Sequence, residues 1–130
     1  MTTKQEARGF GQQSEHLAER HLLRKGYRLV ARNVRLPQGE VDLIVRQGAV
    51  LVFVEVKARR SAAMGGAAYA VTPAKQRRLA QLAAQYLSIH RLEDQVCRFD
   101  VVLVEQPCDA PATVTHIENA FEVSAQHLRC

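Results

Sequence analysis

Apolar and polar residues follow two distinct periods along this chain. From Gln12 to Lys25, Ser14, Leu17, Ala18, His21 and Leu22 recur at helical spacing, and Gly26 follows as a stop. Glu15 stands in register with Ala18 and Leu22, at the edge of that stripe. Tyr27 to Asn33 reads as a strand, and Pro37-Gln38-Gly39 breaks the chain after it. Glu40 to Arg46 alternates, with Val41, Leu43 and Val45 on one face. After a turn at Gln47-Gly48, the strand Ala49 to Lys57 opens on the unbroken apolar run Val50 to Val54. A strand apolar on both faces is covered on both sides and belongs in the middle of its sheet.

Residues 58 to 71 form a loop of small residues. Thr72-Pro73 is a helix start, threonine as N-cap and proline at the first helical position. That helix runs to about Ile89 and buries Leu79, Leu82, Ala83 and Tyr86. Val96 to Val104 is a further apolar strand, Pro107 to Pro111 a turn, and Thr113 to Glu118 an edge strand. The first nine residues are polar and read as a frayed or partial turn, and the tail after Phe121 is weakly patterned. The expected architecture is a single α/β domain, an αβββαβ sandwich with a mixed central sheet. Its core spans about residues 9–105, with a C-terminal extension over about 106–130.

Charge narrows the choice of partner. The chain of 130 residues carries a net charge of +5. Between Val56 and Leu92 there is no carboxylate, while Lys57, Arg59, Arg60, Lys75, Arg77, Arg78 and Arg91 all fall there. A one-sign segment of this kind suits a polyanion, and nucleic acid is the expected partner. Lys75, Arg77 and Arg78 open the second helix, where cations oppose the macrodipole and a phosphate partner would relieve the conflict. The three cysteines have no CxxC spacing and the five histidines no ligand-like spacing, which argues against a disulfide framework or structural zinc. No apolar run reaches membrane-spanning length and no signal-peptide core opens the chain, so a cytoplasmic location with no membrane partner is expected.

Two charged features interrupt the apolar strands, Glu40-Val41-Asp42 and Glu55-Val56-Lys57. With Gln47-Gly48 as a two-residue turn, Arg46 pairs with Ala49, Ile44 with Leu51, Asp42 with Phe53 and Glu40 with Glu55. Alternation then sets Glu40, Asp42, Glu55 and Lys57 on one face. Asp42 and Glu55 become diagonal neighbours roughly 7–8 Å apart. Hard carboxylate oxygens hold Mg²⁺, which acidifies a water and polarises a phosphate. A nearby lysine stabilises the charge that develops on the phosphoryl oxygens. Read more plainly, Lys57 pairs Glu55 across one pleat, but charges placed after a buried apolar run are costly and favour a site. Arg98 and Asp100 share a strand face and read as a structural ion pair.

Glu40-Val41-Asp42 with Phe53-Val54-Glu55-Val56-Lys57 resembles the PD-(D/E)XK superfamily of metal-dependent nucleases. The wider chain resembles the YraN-like family within it, through Gly11 with Glu15, Gly26-Tyr27, Asn33, Gly39 to Leu43, Phe53 to Lys57 with Arg59, Gly65, Lys75 and Arg98 to Val102. No proline immediately precedes the acidic motif, and the glutamine-and-tyrosine helix signature of RecB-like nucleases is not evident. The resemblance implies a restriction-endonuclease-like fold, with Asp42 and Glu55 as ligands of Mg²⁺ or Mn²⁺ and Lys57 as the catalytic lysine. Similarity to archaeal Holliday-junction resolvases adds Glu15 to the catalytic and metal-binding set and implies a homodimer. Glu40 is a candidate accessory acid, and Arg59, Arg60, Lys75, Arg77 and Arg78 are candidate contacts to nucleic acid. Three functions stay open: an endonuclease acting on DNA, branched or damaged DNA included; a nucleic-acid-binding module with this fold and no catalysis; and an assembly factor with a vestigial site.

Overall fold

Helix α1 (Lys4–Arg24) is followed by strands β1 (Arg28–Leu36), β2 (Gly39–Gln47) and β3 (Val50–Arg59), helix α2 (Pro73–Ile89), and strands β4 (Cys97–Glu105) and β5 (Thr113–Ile117). This computed structural model describes residues 4–60 and 71–122. The predicted αβββαβ order is the order found, with β5 added at one edge. The sheet runs β1-β2-β3-β4-β5, and only β3 and β4 pair in parallel. That parallel pair requires a long connection, and α2 lies within it.

The alternation of β3 explains the layers. Leu51 and Phe53 join the core under α2 with Leu79, Leu82, Ala83 and Tyr86, whereas Val52 and Val54 join the core under α1 with Ala18 and Leu22. The double-sided apolar run therefore marks the central strand, as expected. Phe53 is the hinge of the α2 layer. Its ring stacks on Phe99 at 5.7 Å and meets Tyr86 edge-on at 5.8 Å. Phe99 in turn stacks on Phe121, which lies beyond β5.

Local signals set the helix ends. Thr72 caps α2, its hydroxyl accepting from the Lys75 N–H at 3.2 Å, and Pro73 takes the first turn. Gly26, at φ +95°, ends α1, and the Tyr27 N–H returns to the Leu22 carbonyl at 3.1 Å. The helix starts at Lys4, eight residues before the expected Gln12, because one polar helical turn after another carries no apolar period to be read.

The hairpin between β2 and β3 differs from the sequence expectation. The turn is Gly48-Ala49, Gly48 having φ +57°, so Gln47 pairs with Val50, Arg46 with Leu51 and Ile44 with Phe53. Glycine takes the positive φ of a tight hairpin at no steric cost, which favours it at the first turn position. The register is two residues away from the one expected, so Glu40 does not stand opposite Glu55.

A second polar feature sits on the α1 face of β4. Asp100 is 1% exposed and accepts from Arg98 Nε and Nη2, from the Asn119 N–H, and lies 2.7 Å from His116 Nε2. Arg98 also donates to Tyr27, whose hydroxyl donates to Glu118. Burial alone would raise the Asp100 carboxyl, but the His116 and Arg98 hydrogen bonds outweigh it and hold the group below its ordinary range. This is the structural ion pair read from the sequence, extended into a clasp that fastens β5 and the start of β1 to the sheet. His116 is a buried member of it, its side chain 1% exposed.

Candidate functional site

Two breaks in strand alternation create the acidic cluster. In β1, Ala31 and Val34 both face the α2 core although they stand three residues apart. Asn33 lies between them at φ +50°, a left-handed conformation that asparagine tolerates better than branched residues do. In β2, Val41 and Ile44 face the α2 core while Leu43 and Val45 face the α1 core. The phase slips at Asp42, which with its neighbour Leu43 turns to the α1 side. There Asp42 and Glu40 meet Glu15 of α1, and carboxylate oxygens of the three lie within 4.8 Å of one another.

The paired ladder of β2 and β3 stops at Leu43 and Val54. Beyond it the Asp42 carboxylate takes the place of a backbone acceptor, receiving the Val56 N–H at 2.8 Å. Burial pushes the Asp42 carboxyl up to about 6; the Val56 hydrogen bond opposes this, and the charges of Glu15, Glu55 and Glu40 add to it. Glu15 is raised too, by burial and then by Glu40, against a hydrogen bond from Asn33. In the amide orientation that satisfies both carboxylates, Asn33 donates to Glu15 at 2.8 Å and to Glu40 at 3.0 Å. Asn33 is thus a site residue to which the sequence reading gave no role. Its signal was an asparagine within an otherwise apolar and basic strand.

Glu55 approaches from the other side. It continues the α2-facing alternation of Leu51 and Phe53, and Lys75 Nζ of α2 pairs with its Oε1 at 3.1 Å. Its Oε2 is buried and, among the described residues, has no hydrogen-bond partner. Plain alternation placed Glu40, Asp42, Glu55 and Lys57 on one face. In the fold, Glu40 and Asp42 lie with Glu15 on the α1 side and Glu55 lies toward α2. Glu55 remains close enough for its charge to act on Asp42. Lys57 follows Glu55 by one pleat, partly exposed.

The sequence belongs with a known group of proteins. The model of the "Uncharacterised protein family UPF0102" matches residues 14–104. The chain belongs to that family. The match takes in Glu15, Asn33, Glu40, Asp42, Glu55, Lys57 and Lys75 and ends before β5. A UPF0102 protein of Symbiobacterium thermophilum is 50% identical over 115 residues, covering 88% of this chain and 98% of its own. One of Shewanella amazonensis is 50% identical over 94 residues, 72% of this chain and 86% of its own. Among solved structures, Pyrococcus furiosus SfsA in complex with Ca²⁺ is similar at a TM-score of 0.42 and 16% identity, over 90% of this chain and 65% of that one. SSO0001 is similar at 0.32 and 17%, over 91% and 54%.

In this UPF0102 protein the basic residues fall into separate groups. Arg77 and Arg78 are exposed on the first turns of α2. Arg60 is exposed and lies over the Phe10 ring at 4.4 Å. Arg59 instead pairs with Glu105 at 3.2 Å, its side chain 19% exposed, and so bridges β3 and β4. Gly65-Gly66 and Tyr69, adjacent to the site in sequence, lie outside the described residues. A cleft of about 530 Å³ opens beside the carboxylates, lined by Gly11, Gln12, Glu15, Asn33, Arg35 and Glu40. Among the described residues, no helix is long and apolar enough to cross a membrane, and Cys97 and Cys108 are not in disulfides.

Proposed function

We propose that this chain is a divalent-cation-dependent nuclease of the PD-(D/E)XK type, hydrolysing phosphodiester bonds in DNA. The observation that carries the proposal is the convergence of Glu15, Glu40 and Asp42, with carboxylate oxygens within 4.8 Å, at the point where Asp42 is half-buried. Mutually repelling carboxylates persist in such a place when a cation or a proton relieves them. The donor set fits Mg²⁺ or Mn²⁺, being made of hard oxygens, and Glu55, whose buried Oε2 has no hydrogen-bond partner among the described residues, is a further hard-oxygen donor outside that cluster.

In this proposal Asp42, Glu55 and Glu15 hold the cation, with Glu40 accessory. When bound, the cation supplies an acidified water and neutralises charge on the phosphate. The protein's own groups do the rest. The Val56 N–H fixes one Asp42 oxygen. Asn33 fixes Glu15 and Glu40 relative to one another, so the ligand oxygens need no reordering. Lys57 Nζ meets the negative charge that grows on the phosphoryl oxygens as the water oxygen bonds to phosphorus and the ester oxygen leaves. Arg60, Arg77 and Arg78 meet flanking phosphates, while Arg59, tied to Glu105, positions the end of β3. Lys75 reaches phosphate only when it leaves Glu55.

The test is incubation of the protein with plasmid, single-stranded and four-way-junction DNA in Mg²⁺ or Mn²⁺. Cleavage that disappears in Asp42→Asn and in Lys57→Ala is expected. No cleavage of any substrate, or cleavage by Asp42→Asn at the wild-type rate, would overturn the proposal. Salt-sensitive DNA binding without cleavage would favour a binding module instead. Junction cutting requires two sites at once, so sedimentation in the presence of junction DNA would then show a dimer.

A further inference from the structure

Lys75 stands in an unusual place for a cation. It is in the first turn of α2, where the helix dipole is positive, and Arg77 and Arg78 follow it closely. The helix has no acidic residue in its first turn to compensate. The attraction that holds the Lys75 ammonium is Glu55, at 3.1 Å. The pair is unequal in its surroundings: the Lys75 side chain is 40% exposed and the Glu55 side chain 13%. The lysine can therefore reach solvent by rotating its stem, while the glutamate stays where it is. The remaining Glu55 oxygen is buried and has no hydrogen-bond partner among the described residues.

We infer that Lys75 is a competing counter-ion at Glu55, displaced by a divalent cation and transferred to the nucleic-acid backbone. This rests on the reading of Glu55 as a cation ligand. Two positive charges cannot share one partly buried carboxylate without mutual repulsion, which in such surroundings is felt several-fold more strongly than in water. A divalent cation at Glu55 therefore expels the ammonium. The helix dipole and the neighbouring arginines push it in the same direction, outward, where a backbone phosphate is its natural partner. Lys75 is on this view a positioning residue. It neutralises Glu55 in one state and fixes the substrate in the other, so that phosphate binding and cation binding reinforce one another.

The inference is tested on the full chain with Mn²⁺ alone, its binding followed by electron paramagnetic resonance. The proteins compared are wild type, Lys75→Met, Lys75→Arg and Asp42→Asn. Removing the competitor should tighten Mn²⁺ binding by roughly tenfold or more in Lys75→Met. Lys75→Arg, which restores a cation, should stay near wild type. A second readout is the salt dependence of binding to a DNA duplex. With Ca²⁺ present, the log–log slope should fall by about 0.9 in Lys75→Met, the loss of one phosphate contact, and with chelator it should not change. If wild type binds Mn²⁺, Asp42→Asn does not, and Lys75→Met binds no tighter than wild type, the inference fails while the cation site stands. If neither wild type nor Lys75→Met binds Mn²⁺, both fail. An unchanged slope in Ca²⁺ would overturn the transfer to phosphate.

Discussion

Asp42 makes a prediction about stability that needs no substrate. Its carboxyl is pushed from an ordinary value of 3.8 up to about 6, first by burial and then by the charges of Glu15, Glu55 and Glu40. A carboxyl raised in the folded state binds its proton more tightly there than in the unfolded chain. Its contribution to stability is complete below about pH 4 and is lost as pH rises through about 6. The displacement corresponds to about 3 kcal/mol, as an upper value because the group is not fully buried. Asp42→Asn removes the ionisation, and the amide oxygen can still accept the Val56 N–H. The variant should therefore match wild type near pH 4 and exceed it by about 1–3 kcal/mol near pH 8. The assay is urea denaturation across that range at fixed ionic strength. Saturating Mn²⁺ should stabilise wild type near pH 8, by about 2.7 kcal/mol at a hundred times Kd, and leave Asp42→Asn unmoved. Parallel stability curves for the two proteins from pH 4 to pH 8 would refute the reasoning, because burial among like charges would then have no energetic consequence.

Phe53→Ala should destabilise the fold by about 3–5 kcal/mol in urea melts, since the ring is buried, stacks against Phe99 and meets Tyr86 edge-on. Arg98→Met should cost about 3–5 kcal/mol in the same measurement by stranding the buried Asp100 charge. Asn33→Gly should keep the backbone at φ +50° yet weaken Mn²⁺ binding, whereas Asn33→Val should additionally lower the unfolding free energy from urea melts by about 1–2 kcal/mol through strain. Thr72→Ala should cost about 1 kcal/mol, read from the thermal midpoint, by removing the cap on the Lys75 N–H.

Much of the fold is legible in the sequence because its signals are local. Thr72-Pro73 sets the start of α2 through one hydroxyl and one ring, and α2 begins where those residues place it. The apolar run Val50 to Val54 marks β3 as central because a strand covered on both faces has no polar positions to spare. The pairing of Arg98 with Asp100 follows from their spacing along one strand face. Asp42, Glu55 and Lys57 were likewise picked out from the chain alone, since charges beside a buried run announce themselves, whereas Glu15 entered only through the family resemblance.

Their arrangement depended on the tertiary structure. A one-residue movement of the turn, to Gly48-Ala49, reset the β2–β3 register by two. Asn33 and Asp42 broke the alternation that would have set four charges on one face, because a single left-handed residue and a side chain replacing a ladder carbonyl leave no trace in a hydrophobic pattern. The partners of the basic residues were equally non-local. Arg59 meets Glu105 and Lys75 meets Glu55 across different elements, so neighbours in one basic segment have different surroundings. The chain's pattern determined which residues are charged, which are buried and in what order the elements come. Contacts between distant segments decided which charges meet, because electrostatics acts through space and a strand's period holds only while its backbone stays regular.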